Sequence, residues 1–141
     1  MALNGPILLV EDDQDDKDFM EETFKNLNLK NEIIWFTTTN KALKYLQQTG
    51  EQPFIIFCDI NLPDQSGIEF KEIIDKDESL RRKSIPFIFF STSVEQDTVN
   101  RAYTHMTVQG YFQKPSSFYD LKETLKTIVE YWKLCRHPNA I

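Results

Sequence analysis

Glycine is scarce in this 141-residue chain, with four copies, and cysteine scarcer still, with two. So few glycines argue against a turn-rich all-β fold. Cys58 and Cys135 form no metal-type spacing with each other or with His105 and His137, which argues against a zinc site. Cys58 lies in an apolar run and reads as a small core residue, and the two isolated histidines read as surface residues. Long hydrophobic runs are also missing. The N-terminal run, Ile7 to Val10, is far too short for a signal peptide or a membrane span, so a cytoplasmic protein without membrane contact is expected. Basic charge is equally thin. The formal net charge is −6, and the one basic cluster, Arg81-Arg82-Lys83, reads as a solvated loop. Nucleic-acid binding is not expected on that charge.

What the chain does contain is material for a core: 40% of it is hydrophobic, with 11 phenylalanines. The length suits one domain over residues 1–141, with a core from about 5 to 135 and no attached output domain. Strand-like and helix-like segments alternate throughout. Ile7 to Val10, Phe54 to Cys58 and Phe87 to Phe90 are short continuous apolar runs, as in strands buried on both faces. Ile33 to Phe36 and Tyr111-Phe112 are two further strands.

Between them lie helical patterns. The first carries Phe19, Met20, Thr23, Phe24 and Leu27 behind an Asp-rich first turn. The second is capped by Asn40, carries Ala42, Leu43 and Leu46, and stops at Gly50. The third runs from Ile68 to about Lys76 with Ile73 and Ile74 inward, and residues 76–84 read as a charged loop. The fourth, Glu95 to Met106, shows Val99, Ala102 and Tyr103 as its apolar stripe. The fifth starts near Ser117, with Asp120 completing a capping box. Five strands alternating with five helices predict an α/β fold, a single-domain five-stranded parallel sheet with helices on both faces.

In such sheets ligands bind at the carboxyl ends of the strands. Glu11, Asp12 and Asp13 follow the first strand, Asp59 and Asn61 the third, Ser91, Thr92 and Ser93 the fourth, and Lys114 and Pro115 the fifth. The expected cleft therefore holds several carboxylates, a hydroxyl and an ammonium. Crowded carboxylates repel unless a counter-charge is present. Mg²⁺ suits them, because it takes oxygen ligands and keeps open positions for phosphate oxygens. A carboxylate can also attack phosphorus to form an aspartyl-phosphate, with lysine and metal neutralising the transferring group.

The segments Ile7-Leu-Leu-Val-Glu-Asp-Asp13, Phe57-Cys-Asp-Ile-Asn-Leu-Pro63 with Gly67, Pro86-Phe-Ile-Phe-Phe-Ser-Thr92 and Gly110-Tyr-Phe-Gln-Lys-Pro115 span nearly the whole chain. In that order and spacing they resemble the receiver domains of two-component response regulators, in particular stand-alone ones of the chemotaxis type. The resemblance implies a flavodoxin-like sheet of strand order 2-1-3-4-5. It implies phosphorelay signalling, with Asp59 as the phosphoacceptor served by a sensor histidine kinase or a phosphotransfer protein. Asp12, Asp59 and the Asn61 backbone carbonyl would hold Mg²⁺, with Glu11 acting through water. Ser91 and Lys114 would contact the phosphoryl group, and the Lys114–Pro115 bond would be cis. Ser91 and Tyr111 would form the switch: the Ser91 hydroxyl gains a hydrogen bond that it lacks before modification, and Tyr111 turns inward behind it. Output would pass to a downstream protein that the sequence does not name.

Asp13 is open between a supporting role beside the acidic pair and the start of the first helix. Thr92 stands where the family often has Ala or Gly, which would narrow access to Asp59. Thr107-Val108 replaces a frequent Gly-Ala, which puts the end of the fourth helix in question. The implied protein is no enzyme beyond promoting its own phosphorylation and dephosphorylation. A haloacid-type phosphatase would need an acid/base Asp where Asn61 stands. A flavin-binding relative lacks its phosphate loop after strand one. An interaction module that has lost phosphorylation would not need the full residue set.

Overall fold

The computed structural model describes residues 2–136. The apolar runs form strands β1 (Ile7–Val10), β3 (Ile55–Cys58) and β4 (Phe87–Ser91), each buried along its whole length. β2 (Ile33–Phe36) and β5 (Gly110–Gln113) are more exposed and lie at the two edges. All neighbours pair in parallel, in the order β2-β1-β3-β4-β5. The implied fold is therefore the observed one.

Among the described residues six α-helices cover the sheet: α1 (Gln14–Asn26), α2 (Thr39–Gln48), α3 (Gly67–Lys76), α4 (Glu78–Lys83), α5 (Gln96–His105) and α6 (Phe118–Leu134). Side chains alternate across a strand, so each strand feeds both layers. Leu8, Val10, Ile56, Cys58, Phe87 and Phe89 pack against Ala42, Leu46, Phe70, Ile74, Leu80 and Ala102 of α2 to α5. Ile7, Leu9, Phe57 and Phe90 pack against Met20 and Phe24 of α1 and Leu121, Leu125 and Ile128 of α6. Cys58 is buried in the first of these clusters, as expected. Among the described residues no helix is long and apolar enough to cross a membrane.

Several local expectations fail. The stretch 76–84 is not a loop, because Asp77 accepts from the Leu80 N–H, Leu80 is buried and Arg82 pairs with Glu78 one turn away. Arg81, Arg82 and Lys83 lie in the last turn, where cations oppose the helix dipole. The cap of α2 is Thr38, not Asn40, although the helix does end where expected, with Thr49 as its C-cap and Gly50 just after. Asp64 takes over much of that N-terminus by accepting from the N–H groups of Thr39 and Asn40. Ile73 is 39% exposed, Phe19 50% and Tyr103 53%, since each lies off the inward face of its helix. Tyr103 has another use: its hydroxyl accepts from the Tyr111 N–H at 3.0 Å, on the outer edge of β5. His105 is exposed at the end of α5, and His137 lies outside the described residues.

Gly67 opens α3 directly beside β3. A Cβ there would lie 2.2 Å from the Asp59 carbonyl oxygen, closer than real atoms approach. Gly67→Ala is expected to cost about 1–3 kcal/mol through forced backbone movement. Chemical denaturation would measure it, and an unchanged midpoint would contradict the contact.

Candidate functional site

The backbone ladders continue past the strand ends and fix the residues that follow. The Glu11 N–H donates to the Phe36 carbonyl at 3.0 Å, the Asp59 N–H to Val10 at 3.0 Å and the Lys114 N–H to Ser91 at 2.9 Å. This brings Glu11, Asp59, Ser91 and Lys114 to one edge of the sheet. Asp59 is nearly buried, and each of its carboxylate oxygens accepts a hydrogen bond. Its Oδ1 accepts from the Ile60 N–H at 2.7 Å and from the Ser91 hydroxyl at 2.6 Å, and its Oδ2 accepts from Lys114 Nζ at 2.9 Å. Lys114 also donates to Glu11 Oε1 and, at 2.9 Å, to Asp16 Oδ2.

The electrostatics follow from this packing. Burial pushes the Glu11 carboxyl up to about 7, although Lys114 opposes the rise. Burial also pushes Asp59 up, but the Ser91 hydroxyl and Lys114 together bring it below the ordinary range. Burial depresses the Lys114 ammonium, and its carboxylate partners more than offset that, so it stays charged. Carboxylate oxygens of Glu11, Asp12 and Asp59 all lie within 4.8 Å of one another. Asp12 is exposed, so water reaches this group from the Asp12 side. Hard oxygen donors with one face open to solvent fit a cation such as Mg²⁺, which keeps part of its water shell. The Asn61 N–H lies 3.5 Å from Asp59 Oδ1, which places Asn61 beside the cluster.

Comparison with known proteins decides the family. The family model of the response regulator receiver domain matches residues 7–126. The chain belongs to the response regulator receiver family. It is 36% identical over 130 residues to the probable methanogenesis regulatory protein FilR2 of Methanothrix harundinacea (strain 6Ac), covering 89% of this chain and 82% of that protein. Among solved structures it resembles the phosphorylated cyanobacterial phytochrome response regulator RcpA, with a TM-score of 0.84, 31% identity and coverage of 95% and 98% of the two chains. It also resembles the Mn²⁺-bound form of response regulator Rcp1, with a TM-score of 0.81, 30% identity and coverage of 94% and 97%.

Within this receiver domain, three expectations about the site change or resolve. The Lys114–Pro115 bond is not cis, since no peptide bond among the described residues is. Trans is the default for X–Pro by about 0.5–1 kcal/mol, and Lys114 reaches all its carboxylates with it. The Ser91 hydroxyl does not lack its acceptor before modification, because it already donates to Asp59. The Tyr111 ring is half-buried and packs on Phe89, 5.7 Å between centroids, and its hydroxyl donates to the Ser93 carbonyl. Asp13 belongs to the helix: its side chain accepts from the Asp16 N–H and caps α1.

Thr92 is exposed and lines a cavity of about 270 Å³ beside Lys114, together with Asp16, Phe19 and Phe118. Thr107, just past the end of α5, bonds Asp75 through both its N–H and its hydroxyl, while Val108 packs on the core. Sequence reading missed Asp16. Its position in the Asp-rich first turn of α1 was the available signal, but that pattern alone reads as dipole compensation. It also missed Trp35, whose indole N–H donates to the Glu11 carbonyl at 2.6 Å.

Proposed function

We propose that this receiver domain accepts a phosphoryl group on Asp59 from a phosphohistidine of a sensor kinase or phosphotransfer protein, in a Mg²⁺-dependent cytoplasmic phosphorelay. The observation that carries the reading is the placement of Asp59. It is a carboxylate held between a hydroxyl and an ammonium, with Glu11 and Asp12 alongside. In the transfer an Asp59 oxygen attacks phosphorus. The bond from phosphorus to the donor breaks, and the donor nitrogen or oxygen leaves with the electron pair. Bound Mg²⁺ would neutralise charge on the transferring group, held by Asp12, Asp59, the Asn61 carbonyl and, through water, Glu11.

Lys114 and Ser91, which donate to Asp59, would be the donors to phosphoryl oxygens. Ser91 would exchange one charged acceptor for another, and that exchange would pass to Tyr111 through the Ser93 segment. The downstream partner would be a protein that reads this face. The test is incubation with acetyl phosphate and Mg²⁺. Intact mass should rise by one phosphoryl group, and mild base should remove it. A mass that stays unchanged overturns the reading.

Metal binding has its own readout, because Trp35 is tied to Glu11. Mg²⁺ should shift Trp35 emission saturably and raise the thermal midpoint. At ten times its Kd the metal adds about 1.4 kcal/mol by binding linkage, or about 5 °C for a chain of this size. Asp12→Ala should remove most of both effects. A midpoint and an emission spectrum indifferent to millimolar Mg²⁺ would count against the metal site.

A further inference from the structure

Asp16 touches the site without following a strand. We propose that it is a positioning residue: it holds the Lys114 ammonium between Glu11 and Asp59, so that one N–H stays aimed where a phosphoryl group would sit. The proposal rests on the phosphoacceptor reading of Asp59. An ammonium has three N–H donors. Here each meets a different carboxylate, Glu11 Oε1, Asp16 Oδ2 at 2.9 Å and Asp59 Oδ2 at 2.9 Å.

The anchoring is built into one turn. The Asp13 N–H donates to Glu11 Oε2 at 3.2 Å, and the Asp13 side chain accepts from the Asp16 N–H at 3.1 Å. Glu11 and Asp16 therefore approach the lysine from a single capped helix start. Lysine is a point charge on a flexible four-carbon stem, so its direction has to be set by its surroundings. The cavity of about 270 Å³ beside Lys114 gives the ammonium room to turn away. Asp16 is the one acidic residue among those lining that cavity, and it stands at the boundary with the site. Once Asp59 carries a phosphoryl group, its Oδ2 is a weaker partner for Lys114. Glu11 and Asp16 then keep two N–H groups engaged, and the third is left for a phosphoryl oxygen.

The experiment measures phosphorylation by acetyl phosphate in wild type, Asp16→Ala and Asp16→Asn, alone and combined with Lys114→Ala. Asp16→Asn keeps the size and the helix start while removing the charge, and thermal melts check that each variant folds. With Lys114 present, both Asp16 variants should lower the maximal phosphorylation rate roughly two- to tenfold. In the Lys114→Ala background the same changes should be silent, because Asp16 acts through the lysine. The half-saturating Mg²⁺ concentration, read by Trp35 emission without any phosphodonor, should stay within about twofold.

Wild-type rates in both Asp16 variants would overturn the proposal while leaving the phosphoacceptor reading intact. So would a loss that persists undiminished without Lys114, which would mean that Asp16 acts through its own charge. A loss of Mg²⁺ affinity of roughly tenfold or more would also overturn it by assigning Asp16 to the metal. A wild-type chain that takes no label removes both readings together.

Discussion

Asp59→Asn is expected to take no phosphoryl label from acetyl phosphate above background, while keeping its fold. The amide oxygen is a poor nucleophile and carries no charge to push onto phosphorus. Folding should survive because the Asn oxygen can still accept from the Ile60 N–H and the Ser91 hydroxyl. Lys114 also keeps Glu11 and Asp16. The variant should bind Mg²⁺ more weakly, since one of the three clustered carboxylates is gone.

A neighbouring acid gives the control. Asp64 accepts from the Thr39 hydroxyl and from the N–H groups of Thr39 and Asn40 at the start of α2. Asp64→Asn should therefore disturb that helix start and leave labelling intact. Intact mass before and after mild base separates the outcomes. Undiminished base-labile label on Asp59→Asn would remove Asp59 as the acceptor, and loss of label on Asp64→Asn would point to a general loss of structure.

The sheet was legible because its three central strands are buried on both faces, so their sequences are unbroken apolar runs. The strand-end residues were legible for the same reason: once the strands are located, the residues that follow them are located too. Two kinds of feature were hidden. The first was contact between distant segments, as in the Lys114–Asp16 pair, whose partners lie 98 residues apart. Nothing local in either residue's neighbourhood marks that partnership. The second was polarity on a buried face. The inward face of α3 is Gly67, Ile68, Phe70, Lys71 and Ile74. A search for apolar residues selects Ile73 and passes over Lys71, although positions 67, 70, 71 and 74 keep helical spacing. α4 escaped because Leu80 is its one buried residue, which makes no stripe, while its capping aspartate and terminal cations read as a solvated loop.

That buried lysine leads to the second large effect. Asp75→Ala is expected to destabilise the fold by about 2–4 kcal/mol, lowering the midpoint by roughly 7–13 °C. Lys71 is 5% exposed, with Nζ 2.7 Å from Asp75 Oδ1 and 5.2 Å from the centre of the Phe87 ring. Removing Asp75 leaves an ammonium beside an aromatic face with its carboxylate gone. Breaking a sealed pair costs about 3–5 kcal/mol. The figure here is lower because a cavity of about 260 Å³, lined by Lys71, Asp75, Arg81 and Thr107, admits water. Asp75 also accepts from the Thr107 N–H and hydroxyl, each at 3.3 Å. The lead into β5 should therefore loosen, with faster amide exchange from Thr107 to Tyr111. Lys71→Met should cost less than about 1.5 kcal/mol, because an apolar chain of similar length fills the site. Asp75 would then keep Thr107 and its partial contact with water. In the double variant, Lys71→Met should recover most of the Asp75→Ala loss, since no unpaired ammonium remains. Equal costs for the two single changes would contradict this account, because they would mean that the stability comes from packing and not from the charge pair.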